Sequence, residues 1–502
     1  MKHWIAIALI GGLLTPSLRA ADQTARDAEN LALEPSMVLL QVTRQAYNYT
    51  QPWVRRTRTT PKVGIVVSEN QILTTAEELF DRTLIRLQKG GRGPWVNGNL
   101  EWIDYHANLA LITVPVASFW QGLKPADLAA RSVVEGQIQI ARWREGKIES
   151  RTAEFSQFTV DMGQLTFVPH VQLEINSEIQ GIGQGEPVVS KSKILALVSG
   201  REGSRLKAIP TSFIRSILEA RKNGTYKGLG YFPFVWEPSS NVDILSFLKL
   251  PGEPRGVVII DVPKKAGTES GLKVRDIILQ VDGFDIDIEG DYKDPDYGYL
   301  MLENLATRNR WAGDSIRIKV WRDGQTVDVD YKIPKADYED SLLPDAVYDQ
   351  EPEYLIVGGL LFAPLTDAYL QSWGGGWKTA APFRLNYYNQ QEAPADHPGL
   401  VLLSSVLPDT FNIGYQNLRY VVLDEVNGQK ISYLSELEAA LKKPINGYHD
   451  IRFAKGDSIQ RIILDAGQTD AATQRVLQRY RIIKDSLILP HAKAKLPATA
   501  TP

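Results

Sequence analysis

The chain contains no cysteine, which excludes disulfide bridges, thiolate nucleophiles and cysteine-based metal sites. It has only six histidines in 502 residues. They are scattered, and no H-E-x-x-H pair occurs, so no zinc site is legible. No charge of either sign dominates: 56 Lys and Arg stand against 59 Asp and Glu, for a net charge of −3. That balance argues against nucleic acid as a main partner. Long apolar runs are also missing. The only candidate, Trp4 to Leu14, is too short to span a bilayer.

What is present is a globular composition, 43% hydrophobic and 23% charged, in a length that suggests about three domains of about 150 residues. Residues 1–20 read as a signal peptide. Lys2-His3 form a positive start, Trp4 to Leu14 an apolar stretch, Thr15-Pro16-Ser17 a helix break, and Ala20-Ala21 a small-residue cleavage site. Cleavage after Ala20 removes two positive charges, Lys2 and Arg19, so −3 becomes −5. An uncleaved N-terminal anchor is the alternative. The expected location is exported, either periplasmic or secreted.

Residues 21–36 read as a polar N-terminal arm. Residues 37–223 carry many short β-rich runs separated by turns, the pattern of a barrel or sandwich. They close with an amphipathic helix, Thr211 to Arg221, for which Thr211 is the expected N-cap and Asn223-Gly224 the stop. A second unit, 224–335, contains Gly228-Leu229-Gly230-Tyr231, a strand at Gly256 to Val262, an expected helix at Tyr299 to Thr307, and a hairpin with an Asp323-Gly324 turn. Residues 336–352 are acidic and proline-bearing and read as a linker. A third unit, 353–482, repeats the second in outline, with Val426-Asn427-Gly428 matching Val281-Asp282-Gly283. Residues 483–502 read as a disordered tail.

One stretch stands out chemically, Gly181-Ile182-Gly183-Gln184-Gly185-Glu186-Pro187. A glycine-rich turn between strands brings bare N–H groups together, as an oxyanion hole does beside a nucleophile. The residue at its tip is Gln184, which cannot attack a carbonyl.

The two repeated units resemble PDZ domains, whose glycine-rich loop offers N–H groups to a peptide carboxylate while an adjacent strand takes the peptide as an added strand. The loop in question is Gly228, Leu229, Gly230 and Tyr231; Gly359-Leu360-Leu361-Phe362 is its counterpart in the third unit. The N-terminal unit resembles the chymotrypsin-like domain of the HtrA/Deg family, in its plant-type Deg branch. Gly64-Ile65-Val66-Val67 with Gln71 to Ala76, Asn108 to Ile112, and Ile175 to Pro187 look like its three catalytic segments. The resemblance runs from Tyr47 to Ile482. It implies a mainly β protein, a chymotrypsin-like double β-barrel followed by two PDZ-like α+β domains.

The family's chemistry does not carry over. Glu77 stands where the family has histidine, Asn108 where it has aspartate, and Gln184 where it has serine. A serine protease needs a hydroxyl, a base to take its proton and an anion to orient that base. Glu186 replaces a loop glycine and brings a carboxylate toward the old oxyanion hole. His106, two residues before Asn108, is expected on the same strand face. His170 reads as a surface or boundary residue. Asp285 to Asp296 approaches a calcium-loop spacing, but its flanks do not read as a helix pair, and a solvated acidic loop is the expected reading. Tyr47, Tyr49 and Trp53 either pack protomers into trimers, as the resemblance implies, or lid the barrel's own core.

The expected function is therefore binding: a catalytically inactive Deg-like protein that takes C-termini or unfolded segments of exported proteins, as chaperone, scaffold or regulator. Its expected assembly is a trimer-based homo-oligomer or a mixed oligomer with an active homologue. No cofactor and no metal are expected. The alternatives are an active serine-type endopeptidase with an unorthodox site, and a purely structural assembly protein.

Overall fold

The computed structural model describes residues 30–132, 134, 136–177, 181, 183–263, 271–337, 342–345, 347–391, 394, 397–455 and 461–490. The expected signal peptide, most of the N-terminal arm and the end of the tail lie outside the described residues. The fold is mostly β, a trypsin-like domain with PDZ domains. The chain divides into two compact units. Residues up to Thr43, Thr59–Leu79 and Thr83–Ala336 form the first; Arg44–Arg58, Phe80–Arg82 and Asp337 onward form the second.

The first unit opens with a seven-stranded sheet. Its spatial order is Trp95–Asn97, Arg82–Lys89, Met37–Tyr47, Arg55–Ser68, Gln71–Thr74, Leu109–Thr113 and Asn99–Asp104. Side chains alternate across a strand. Val38, Leu40 and Val42 accordingly bury one face together with Ile72, Leu87 and Ile112. Gly64 is needed in this sheet, because a Cβ there would lie 2.5 Å from Ile72 and 2.7 Å from Leu40.

A closed six-stranded barrel follows, in the order His170–Asn176, Arg205–Pro210, Lys193–Glu202, Pro187–Ser190, Ile138–Arg144 and Lys147–Asp161. Closure leaves no unpaired edge. Ile140, Leu173, Ile175, Val188, Val198 and Leu206 fill its interior.

The helix Thr211–Lys222 buries Phe213, Ile214 and Ile217, each worth about 1.5–3 kcal/mol. Its cap differs from expectation. Pro210 occupies the N-cap position. The Thr211 hydroxyl is drawn instead to the carbonyls of Ala129 and Leu195, both at 3.0 Å, and so pins the helix to the barrel. One apolar cluster runs from Ile65 and Leu109 through Phe213 and Ile217 to Leu229, Ile278 and Tyr331.

The PDZ-like part of this unit is a sheet in the order Val235–Glu237, Val257–Asp261, Ile277–Val281, Ser315–Arg322 and Gln325–Lys332. The Asp323-Gly324 turn has positive φ at both residues, 49° and 87°, as a tight two-residue hairpin requires. The expected helix at Tyr299 to Thr307 is not formed. Asp294 accepts the N–H groups of Asp296 and Tyr297, and Gly298 has φ 84°. These turn the chain into a hairpin of Asp291–Asp294 with Gly298–Met301. Only Leu302–Ala306 continues, as one 3-10 turn.

The second unit is an eight-stranded sheet. Along its path run Arg461–Asp465, Tyr448–Phe453, Val421–Val426, Val401–Val406, Leu360–Pro364, Tyr354–Val357 and Ser486–Leu487. Helices Leu434–Leu441 and Ala466–Tyr480 complete it. Asn427-Gly428 repeats the positive-φ pair of Asp282-Gly283, at 50° and 81° against 48° and 86°. Ser486–Leu487, within the expected tail, pairs with Tyr354 and Leu355. The aromatic cluster has a destination that the sequence did not name. Tyr49 packs against the apolar cluster containing Leu343, Leu365 and Tyr369, and the Trp53 ring meets Tyr354 edge-on at 6.0 Å.

Candidate functional site

Strand Gln71–Thr74 ends in a turn that delivers Glu77, and a second turn, 105–108, delivers Asn108 with φ 51°. The two residues meet: the Glu77 N–H donates to Asn108 Oδ1 at 2.9 Å. Both are buried. Asn108 therefore orients the backbone of residue 77 and not a side-chain base.

Gln184 enters from the loop before Pro187–Ser190. Its carbonyl accepts the Val63 N–H at 3.4 Å. Next to it Gly185 has φ 82°, and a Cβ there would lie 2.5 Å from the Val63 carbonyl oxygen. The loop is thus wedged against the first sheet in a conformation open only to glycine.

Beside the Gln184 loop lies a cleft of about 820 Å³, walled by Lys62, Val63, Arg142, Trp143, Gln184 and Glu186 among others; neither Glu77 nor Asn108 is among its described lining residues. Among its described lining residues there is no serine, threonine or histidine.

Two buried ionisable groups give the cleft its electrostatics. Glu186 lines it as the sequence suggested, and burial pushes its carboxyl up to about 7. Lys62 was not foreseen. It is 2% exposed and donates to the Thr75 hydroxyl at 2.8 Å and to the Glu77 carbonyl at 2.6 Å. Burial pushes its ammonium down to about 7, against the attraction of Glu77 and Glu78. A lysine in the apolar run Pro61-Lys62-Val63-Gly64-Ile65-Val66-Val67 was the available signal.

The rim is basic. Arg142, Arg144 and Arg151 converge on the single carboxylate of Glu149, and hydrogen bonds from Arg151 and Arg142 hold it down at about 2.

The histidines lie elsewhere. His106 sits in the 105–108 turn, so strand alternation does not apply and it does not share a face with Asn108. Its Nδ1 is 2.8 Å from the Thr166 hydroxyl, and its ring meets Phe167. His170 is not a surface residue: it is fully buried, stacks on Phe213 and bonds Gln172, and burial pushes it down to about 4.

The acidic stretch is consumed by its own backbone. Asp287 accepts the N–H groups of Glu289 and Asp291, and Asp294 binds Arg308. Among the described residues no group of three or more His, Asp or Glu side chains is placed to hold a metal ion.

The two glycine loops differ in kind. Leu229 is buried, Gly230 packs against Ile333, and the Tyr231 ring meets Phe167 at 5.2 Å. Strand Val235–Glu237, which follows this loop, is the end strand of its sheet. In the second unit, strand Leu360–Pro364 is paired on both sides, by Tyr354–Val357 and Val401–Val406. Its loop is tied down as well. Thr473 takes the Gly358 N–H, and the Asn412 amide donates to the Gly358 and Leu407 carbonyls.

Fold and cleft define a trypsin-like barrel domain joined to PDZ modules. Residues 343–486 match a family model described as PDZ domain. Over most of its length the relatives of this chain are Deg/HtrA-like proteases, at 21–24% identity. Protease Do-like 4, mitochondrial, of Arabidopsis thaliana is 21% identical over 496 residues, covering 96% of this chain and 90% of that protein. Protease Do-like 2, chloroplastic, of the same plant is 21% identical over 425 residues, covering 80% and 67%. A solved structure, HtrA-type protease AlgW with decapeptide, superposes with a TM-score of 0.46 at 17% identity, covering 61% of this chain and 98% of that one. No helix among the described residues is long and apolar enough to cross a membrane.

Proposed function

We propose that this chain is a Deg/HtrA-like protein without serine-protease chemistry, which binds polypeptide segments in an exported compartment. The observation that carries the reading is the lining of the cleft, where Gln184 stands at the loop tip and no hydroxyl–imidazole pair stands among the described lining residues. Acyl transfer needs such a pair or an equivalent. The first PDZ loop, Gly228 to Tyr231, is the peptide-binding element. It is followed by an end strand, the geometry that β-addition requires. The second PDZ domain is structural, because its corresponding strand has no free side. Assembly is trimer-based or mixed with an active homologue, and the role is chaperone, scaffold or regulator.

Casein digestion, labelling with a fluorophosphonate probe and peptide-library binding to the whole chain test this together. Cleavage that survives purification and is lost in Gln184→Ala or Glu77→Ala would overturn it. An active endopeptidase is the second reading, favoured by the relatives' names and by the Lys62–Thr75 amine–hydroxyl contact of 2.8 Å. Thr75 is fully buried, away from any substrate carbonyl. Loss of cleavage in Thr75→Val would identify that pair.

A further inference from the structure

The second unit holds a pocket of about 680 Å³ whose described lining residues all belong to that unit. It lies at the end of strand Leu360–Pro364 and the start of helix Leu434–Leu441, and the tied-down Gly358 is not in its wall. Its charge has one sign. Asp337, Asp345, Glu351 and Glu353 line it, and among the described lining residues there is no lysine, arginine or histidine. Two of these carboxylates are engaged: Glu351 pairs with Arg55 at 2.6 Å, and Glu353 accepts the Leu489 N–H at 2.8 Å. Asp345 is not. It has no hydrogen bond or ion pair among the described residues, and it is half-buried, with neither carboxylate oxygen sealed from solvent. Burial, and then the nearby carboxylate of Asp367, push it up to about 6. At neutral pH it is therefore ionised, faces a like charge and lacks a counter-charge, a cost that an incoming cation recovers.

The walls around Asp345 are apolar. Pro344, Val347, Pro364 and Leu489 are partly exposed there, and so are Tyr49 and Tyr433. Arginine and lysine side chains match such a surface, because their stems lie along apolar groups while the head reaches a carboxylate or an aromatic face. Stiff proline-rich segments dock on aromatic walls of this kind at low entropic cost. A pocket of this size takes a short segment and not a lone ion. Its carboxylates do not converge either: among the described residues no group of three or more His, Asp or Glu side chains is placed to hold a metal ion.

We propose that this pocket binds a polypeptide segment through one arginine or lysine side chain, with the charged head on Asp345 and the stem and flanking proline or aliphatic residues along Tyr49, Tyr433 and the proline wall. This goes beyond the reading above, in which the second PDZ domain is structural. Its doubly paired strand stays so, and the pocket stands whether or not the barrel keeps any chemistry.

The test uses the full chain and three dye-labelled peptides of proline and leucine, all N-acetylated and C-amidated so that no terminal charge is offered to the first glycine loop. One carries an arginine, one a lysine, and one a citrulline, which keeps the shape of arginine without its charge. Fluorescence anisotropy at about pH 7.5, where Asp345 is ionised, gives the affinities. The arginine or lysine peptide, or both, should bind at least about tenfold more tightly than the citrulline one. Asp345→Asn is nearly isosteric and breaks no bond among the described residues; it should lower that affinity by about fivefold or more, toward the citrulline level. Asp470→Asn removes an equal charge from an exposed position outside the pocket and leaves the affinity unchanged. Equal binding of all three peptides, no binding to the full chain, or an unchanged affinity in Asp345→Asn with native circular dichroism overturns the inference. So does binding that appears only in a chain ended at Pro490, since Lys493 and Lys495, which follow, would then be the occupants.

Discussion

Lys62→Met should remove a specific pH dependence from the stability of the barrel unit. The Lys62 ammonium is buried and pushed from its ordinary 10.5 down to about 7, mainly by burial. Between those values the unfolded chain holds a proton that the folded chain lacks. Stability therefore rises with pH across this window, at up to about 1.4 kcal/mol per pH unit. The full window corresponds to a ceiling of roughly 5 kcal/mol, reduced by any water or carboxylate that keeps the amine charged. Other shifted groups act outside it. Glu186, raised to about 7, makes stability fall between about 4.5 and 7, and His170, lowered to about 4, makes it rise between about 4 and 6.5. Tyr292 and Tyr331, pushed up by burial, begin to lower stability only near pH 10. The range from about pH 7.5 to 9.5 thus isolates Lys62. Urea unfolding followed by tryptophan fluorescence at several pH values in this range, wild type against Lys62→Met, gives the difference directly. The expected result is a rising stability in the wild type and a flat one in the variant. Methionine also leaves the Thr75 hydroxyl and Glu77 carbonyl without their donor, at about 1–3 kcal/mol each, so the absolute offset is not the readout. Parallel slopes in the two proteins would refute the argument that Lys62 is held near neutrality.

Three further outcomes follow from the geometry. Asn108→Ala removes the acceptor of the buried Glu77 N–H and should cost about 1–3 kcal/mol, whereas Asn108→Asp keeps an acceptor and should cost less; thermal unfolding separates them. Gly185→Ala adds a Cβ 2.5 Å from the Val63 carbonyl at φ 82° and should cost more than about 2 kcal/mol, read as a lowered Tm. Gly228→Val meets open space but a φ of 90°, so it should cost about 1–3 kcal/mol locally and weaken carboxyl-terminal peptides by at least about tenfold. Unchanged peptide affinity in that variant would remove the loop from the binding role.

Much of the fold was legible because it rests on local rules. The β-rich run Val38–Val42 is a strand, Asp323-Gly324 makes its hairpin turn, and the likeness of Asn427-Gly428 to Asp282-Gly283 extends to matching backbone angles. The failures have specific causes. Tyr299 to Thr307 carries apolar residues at helical spacing, but Asp294 and Gly298 close a hairpin first. Spacing alone puts His106 on a strand face with Asn108, but its segment is a turn. His170 reads locally as a surface or boundary residue because nothing near it in sequence tells of the Phe213 ring stacked on it. Thr211 reads as a cap because its competing acceptors, the Ala129 and Leu195 carbonyls, are distant in sequence.

By itself the sequence determined which residue types are available. It excludes a thiolate nucleophile, and it sets Glu77, Asn108 and Gln184 where the resemblance to the HtrA/Deg family implies base, orienting anion and nucleophile. Only the tertiary structure decided what those positions became. It brought Asn108 onto the Glu77 backbone, buried Lys62 against the Glu77 carbonyl, and set Glu186 and Gln184 in the wall of a cleft. Such outcomes depend on desolvation and on contacts between residues tens of positions apart. The same reason separates the two glycine loops: one precedes an end strand and the other a strand paired on both sides, a difference of sheet order that neither loop's own residues encode.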